Sequence, residues 1–196
     1  MFQKSIFHRS RQEENYQKLI QTIERDRLLD KRGTHFMTFT FPYVVGRNGY
    51  VATPFGMSDV STAQDLIGEW AFRMDRIFLG QNIKKKSLDL RMKWIVIPEV
   101  KTKEGEKTPL HFHGVFDVDY RYHDKMRKHG VKFWQNLLRS RFPPPNVIWP
   151  KLLDIREIDD CDRHRVVSYS MKQVSTGWNW EHMFEHRDSH PSTLPL

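Results

Sequence analysis

Two hydrophobic periods take turns along this chain. Residues 35–41 read His-Phe-Met-Thr-Phe-Thr-Phe, with Met37, Phe39 and Phe41 on one side and Thr38 and Thr40 on the other. Side chains alternate along a strand, so this segment predicts a strand with one core face, and Pro42 ends it. Before it, residues 10–30 carry Tyr16, Leu19, Ile20 and Ile23 at helical spacing, which predicts an amphipathic helix ending near Gly33. Asn48-Gly49 between β-branched residues predicts a small hairpin within 43–60. The clearest helix follows: Ser61 and Gln64 read as a capping box, and Leu66, Ile67, Trp70, Ala71, Met74, Ile77 and Phe78 keep the helical period up to Gly80. Residues 92–98 are apolar on both faces, as a central strand should be, and a polar connection over 101–109 leads to a second strand over 110–118. Met126, Trp134, Leu137 and Leu138 predict a helix over 122–140, weakened by Gly130. The three prolines of 142–146 make a rigid loop, 147–158 reads as a further strand, and 163–174 as a last helix. Asp159, Asp160 and Asp162 stand where they would cap that helix.

The predicted order is β-(hairpin)-α-β-β-α-β-α, an α+β fold in which helices pack on a central antiparallel sheet. It divides the chain into an N-terminal helix and arm over 1–32, a core over 33–176 and a tail over 177–196. With 196 residues, one core suffices and neither a metal nor a disulfide is needed to staple it. Aromatic residues make up 13% of the chain, which disfavours disorder and coiled coil because that much ring surface must be buried or stacked. Lys and Arg number 32 against 24 Asp and Glu, for a net charge of +8. That surplus calls for a polyanionic partner, nucleic acid or an acidic membrane surface. The single Cys excludes an internal disulfide framework and a multi-Cys zinc site, which predicts an intracellular protein. No stretch is apolar enough to predict a signal peptide or a membrane span.

Candidate chemistry begins in the strand over 110–118. Phe112, Phe116 and Val118 share the core face, so His111 and His113 point the other way, about 7 Å apart along the strand. A His-x-His pair is a weak signal in a chain with 10 His, and it gains weight from Glu99. A hairpin centred on Gly105 sets Glu99 directly opposite His111 on the same face, and a register slip of two leaves it there. Two imidazoles and a carboxylate with open positions suit a catalytic divalent ion such as Mg²⁺ or Mn²⁺. Asp117 lies on the same face and is the alternative carboxylate. In the last predicted helix, Val167, Ser170, Met171 and Val174 form one stripe, while Arg165, Tyr169 and Lys172 cluster on the opposite side. A phenol with a cation one turn away can be activated as an oxygen nucleophile.

Three segments in order, Met37-Thr38-Phe39-Thr40, then Glu99 with His111-Phe112-His113, then Tyr169-Ser170-Met171-Lys172, resemble the motifs of HUH endonucleases. The pattern is most similar to the single-tyrosine replication initiators of rolling-circle plasmids, phages and single-stranded DNA viruses, over about residues 34–175. The resemblance implies an RRM-like split sheet and a nickase that also rejoins strands. It implies a Mg²⁺ or Mn²⁺ ion on His111, His113 and Glu99, with Tyr169 forming a 5′-phosphotyrosine link and Lys172 offsetting charge on the phosphate. Single-stranded origin DNA, possibly a hairpin, is the implied partner, in the cytoplasm of a prokaryotic host that supplies polymerase and helicase. Thr38, Thr40, Arg165 and the basic run Lys84, Lys85 and Lys86 are the candidate DNA contacts. The chain lacks a G-x-x-x-x-G-K-[ST] loop, so it carries no helicase signature of its own. Two alternatives share parts of this pattern: a single-tyrosine transposase of the same superfamily, and a nucleic-acid-binding sheet without catalysis.

Other features carry bland readings. The H-x-x-E-H run from His182 to His186 reads as a polar helix surface rather than a zinc protease. Trp178 and Trp180 read as folding the tail onto the core, although each could stack on a base. Arg139 and Arg141 read as a solvated face, and Cys161 as a small structural residue.

Overall fold

A computed structural model describes residues 34–45, 51–52, 60–101, 107–142, 148–162, 165–166 and 184–185. The predicted helix over 10–30, the Pro-rich loop, Trp178, Trp180 and most of the last helix, with Tyr169 and Lys172, lie outside them.

The fold is α+β. Strands β1 (Thr34–Thr40), β2 (Val44–Val45) and β3 (Val51–Ala52) precede helix α1 (Val60–Leu79). Strands β4 (Lys93–Lys101) and β5 (Lys107–Asp117), helix α2 (His123–Arg141), β6 (Leu153–Glu157) and β7 (Phe184–Glu185) follow. β2 and β3 pair as the small hairpin. The other five strands form one sheet in the order β6-β1-β5-β4-β7, antiparallel at every junction.

Alternation decides which face meets the helices. Met37 and Phe39 of β1, Phe41 just after it, Phe112 and Phe116 of β5 and Trp94 and Val96 of β4 all belong to one core, where they meet Trp70 and Met74 of α1 and Trp134 and Leu138 of α2. The aromatic rings pack edge to face around Phe39, 4.9 Å from Trp70 and 5.0 Å from Trp134, the arrangement ring quadrupoles favour. Each buried indole also satisfies its N–H: Trp70 Nε1 donates to Gly130 O at 2.9 Å, and Trp134 Nε1 to Thr40 O at 3.3 Å. Gly130, which made the helix over 122–140 look weak, is where α2 packs closely on β6 and α1. A Cβ there would lie 2.9 Å from Ile155 Cδ1 and 3.2 Å from Met126 Sδ.

Some sequence expectations need correction. α1 starts at Val60, so Ser61 lies inside the helix rather than at its N-cap; the buried Val60 side chain ties the first turn to the core, two residues ahead of the expected start. The strand expected over 147–158 is confined to Leu153–Glu157, with Ile148 making only an isolated bridge to Tyr43, because Pro150 interrupts the ladder. The polar connection over 101–109 is shorter than its composition implied, since β4 runs to Lys101 and β5 begins at Lys107. Asp160–Asp162 forms a 3-10 turn of its own. A fifth strand at Phe184–Glu185 was not expected; it lies inside the H-x-x-E-H run, which is therefore strand rather than helix at those two positions. Among the described residues no helix is long and apolar enough to cross a membrane.

One core-facing acid stands out. Asp75 on α1 is buried, accepts the Met92 backbone N–H at 3.0 Å, and is pushed up to about 7 by burial, which that hydrogen bond and the Arg91 charge only partly offset. A raised acid holds its proton longer when folded than unfolded. Its share of stability is thus complete below about pH 4 and falls away as the pH rises toward about 7, by an amount of order 4 kcal/mol. In Asp75→Asn this pH-dependent loss should vanish, so denaturation at pH 4 and pH 8 should show the variant gaining on the wild type as pH rises. A parallel pH profile for both proteins would show that Asp75 is not titrating there. Gly130→Ala should lower stability by about 1–3 kcal/mol through overpacking, read as a lower denaturation midpoint at unchanged slope.

Candidate metal centre

The face of the sheet opposite the helices carries Thr38 and Thr40 of β1, His111 and His113 of β5, and Glu99 of β4. The ladder registers fix this: Thr38 pairs with His113, Thr40 with His111, and Glu99 with His111. The expected register across the β4–β5 hairpin is therefore the observed one. An irregularity between Glu99 and Lys101 follows directly, where the ladder resumes with Lys101 opposite Lys107.

Three ligand atoms converge there. Glu99 Oε2 lies 3.0 Å from His113 Nε2 and 3.4 Å from His111 Nε2, with side-chain exposures of 10%, 9% and 19% respectively. These atoms all lie within 4.8 Å of one another. The two rings meet edge to face at 4.9 Å, and Phe36 stacks on His113 at 5.5 Å with 13° between planes.

The other nitrogen of each ring decides what the cluster can bind. His111 Nδ1 lies 2.9 Å from the Pro109 carbonyl oxygen, which can only accept, so Nδ1 carries the proton. His113 Nδ1 lies 3.0 Å from Thr38 Oγ1, a hydroxyl able to accept a hydrogen bond from it. With both Nδ1 atoms protonated and the rings neutral, the Nε2 lone pairs face the Glu99 carboxylate. Acceptors facing an anion call for a positive charge between them, either a proton or a metal ion. Hydrogen bonds to the distal nitrogens are also how metal-binding histidines are held. Burial would raise the Glu99 carboxyl, but when the His111 and His113 imidazoles carry the proton, their hydrogen bonds and charges hold it well below the usual carboxylate range. Glu99 is accordingly an anion at neutral pH. Spacings of 3.0–3.4 Å are close to the edge of about 3 Å expected around an octahedral ion with bonds of about 2.1 Å. The donor set fits a hard divalent ion such as Mg²⁺ or Mn²⁺ with its remaining positions open.

Asp117 does not join this cluster. It pairs with Lys93 and Thr34 at the far end of the ladder, four residues and about 13 Å along β5 from His113. Beside His113 opens a groove of ≈ 480 Å³ lined by Phe36, Thr38, Asp154, Arg156 and Arg165, among others. Arg165 is exposed in the first described turn of the last helix. Arg156 is held by Asp154 at 2.6 Å.

The remaining candidates separate. Thr38 bonds to His113 and also lines the groove beside it. Thr40 shares the site face opposite His111. Lys84, Lys85 and Lys86 are exposed on a short 3-10 turn and its cap ahead of β4, while Glu99 is six residues into that strand. Lys86 Nζ donates to Leu79 O at 2.6 Å, capping the end of α1. The basic run therefore does not meet the His-Glu cluster. Two contributors escaped the sequence reading, the Pro109 carbonyl and the Phe36 ring. Phe36 was accessible from the period of two, since it is in phase with Thr38.

No family model, curated protein or solved structure matches this chain.

Thr38→Val should lower Mn²⁺ affinity about 10–100-fold by freeing the His113 ring, measured by calorimetric titration. Asp117→Asn should leave affinity unchanged, and an equal loss there would move the carboxylate ligand from Glu99 to Asp117.

Proposed function

We propose that this protein is a metal-dependent endonuclease of the HUH type, which nicks and rejoins single-stranded DNA to initiate rolling-circle replication. The observation that carries the reading is the His111–His113–Glu99 cluster, with its distal nitrogens already hydrogen-bonded, on the sheet face opposite α1 and α2. An antiparallel sheet with both histidines on one inner strand is also what the RRM-like arrangement of that superfamily requires. The net charge of +8 suits a backbone-binding groove, and the groove next to His113 contains Arg165, four residues before Tyr169 in sequence.

His111, His113 and Glu99 would hold the ion. Bound there, a divalent ion supplies Lewis-acid polarisation of a phosphate oxygen. The chain's own residues do the rest. Tyr169 Oη forms a bond to phosphorus as the bond from phosphorus to the 3′-oxygen breaks. The phenolic proton passes to the medium and the departing oxygen leaves as a 3′-hydroxyl. The 5′-phosphotyrosine ester retains the bond energy, so a later 3′-hydroxyl can attack it and close a strand, returning the proton to Tyr169. Lys172, three residues on, offsets phosphate charge, and Arg165 binds the backbone within the groove. Thr38 and Pro109 keep the imidazoles oriented throughout.

The test mixes purified protein with a fluorescent single-stranded oligonucleotide library and Mn²⁺ and resolves it on a denaturing gel. A covalent band is expected with the wild type and not with Tyr169→Phe, with His113→Ala, or in EDTA. Salt-sensitive binding without any covalent band would identify a binding module instead. A band that appears only with terminal hairpin substrates from mobile DNA would favour a transposase.

A further inference from the structure

A second group of metal-ligating side chains sits on the other face of the sheet. His35 and Glu157 are directly paired between β1 and β6, and His123 is the first residue of α2. His35 is three residues, about 10 Å, along β1 from Thr38 and on the opposite face by alternation. We propose that His35, His123 and Glu157 form a zinc-binding site that joins the start of α2 to strands β1 and β6.

Four observations carry this. Ligand atoms of the three side chains all lie within 4.8 Å of one another. Glu157 Oε1 is 3.4 Å from His123 Nδ1 and 3.8 Å from His35 Nε2. The first spacing is close to the edge of about 3.3 Å around a tetrahedral ion with bonds of about 2.0 Å, and the second is wider by about 0.5 Å; nitrogen and carboxylate donors are those Zn²⁺ takes in that geometry. The His123 tautomer is set for ligation: Nε2 lies 3.1 Å from the Val118 carbonyl oxygen, so it carries the proton and Nδ1 presents its lone pair to Glu157. The imidazoles are already ordered, with His35 buried at 1% exposure and the two rings edge to face at 4.6 Å.

Glu157, at 46% exposure, opens the group to solvent, which gives an ion an entry path and a water for the fourth position. Arg127 reaches Glu157 from that solvent side, 2.9 Å from the same Oε1. When an ion binds, Arg127 passes to the second Glu157 oxygen or stays with Asp124, which it already holds at 2.7 Å. The site is independent of Tyr169 and of strand nicking.

Zinc binding by the full-length His113→Ala variant tests this, because that substitution disables the Glu99 cluster. Competition with a chromophoric chelator should give one Zn²⁺ per chain. Adding His123→Ala, or separately Glu157→Gln, should weaken that binding at least 100-fold. Co²⁺ in its place should show the intense visible bands of tetrahedral coordination, lost in both double variants. Zinc should also raise the melting temperature of His113→Ala and leave the double variants unmoved. Absence of zinc from His113→Ala, or binding unaffected by both second substitutions, would overturn the proposal. The Glu157→Gln arm keeps the test decisive if His123→Ala folds poorly.

Discussion

Strand β5 has to serve two chemistries at once, and its pleat is what permits it. Phe112 and Phe116 on one side are locked among Phe39, Trp70, Trp94 and Trp134, so β5 has one rotational setting in the sheet. With that face committed, His111 and His113 must lie on the other. The same constraint extends to β4, because a slip of one residue would turn Trp94 and Val96 out of the core and carry Glu99 to the helix side. Hydrophobic packing on one face thus sets the geometry of polar chemistry on the other.

The rigidity at the centre of the sheet has a further local cause. A Cβ on Gly114, between His113 and Val115, would sit 2.6 Å from Val96 Cγ1 and 2.8 Å from the Ile95 backbone oxygen. Glycine is required there by close approach, and β4 and β5 interlock next to the ligand pair. Around this frame the ring orientations are set by short-range bonds, from Pro109 two residues before His111 and from Thr38 on the neighbouring strand. The sheet therefore positions backbone, and the distal hydrogen bonds aim the nitrogens.

Both faces of the sheet carry a His-His-Glu group, and the two differ in construction. At Glu99 the ligands come from adjacent strands of one hairpin, with spacings of 3.0–3.4 Å. At Glu157 they come from two strands and a helix start, with spacings of 3.4–3.8 Å. The Glu99 group lies on the sheet face away from α1 and α2, whereas the Glu157 group lies where two strands meet the start of α2.

The period of two in β1 and β5 was readable from the residues alone, since Met37 and Phe39 alternate with Thr38 and Thr40, and Phe112 with His111 and His113. That placed both histidines on one face, and a hairpin centred on Gly105 added Glu99. Thr38 was legible as a strand residue of that face, but its bond to His113 was not, because 75 positions separate them. The choice of Glu99 over Asp117 also belonged to the tertiary structure: both occupy the same face, and only the ladder register says which is adjacent to the ligands and which lies a strand's length away. His35, His123 and Glu157 share no local motif at all; strand pairing and a helix start bring them together. Periodicity is a property of neighbouring residues and so resides in the sequence, whereas proximity between distant segments is decided by how the buried faces fit.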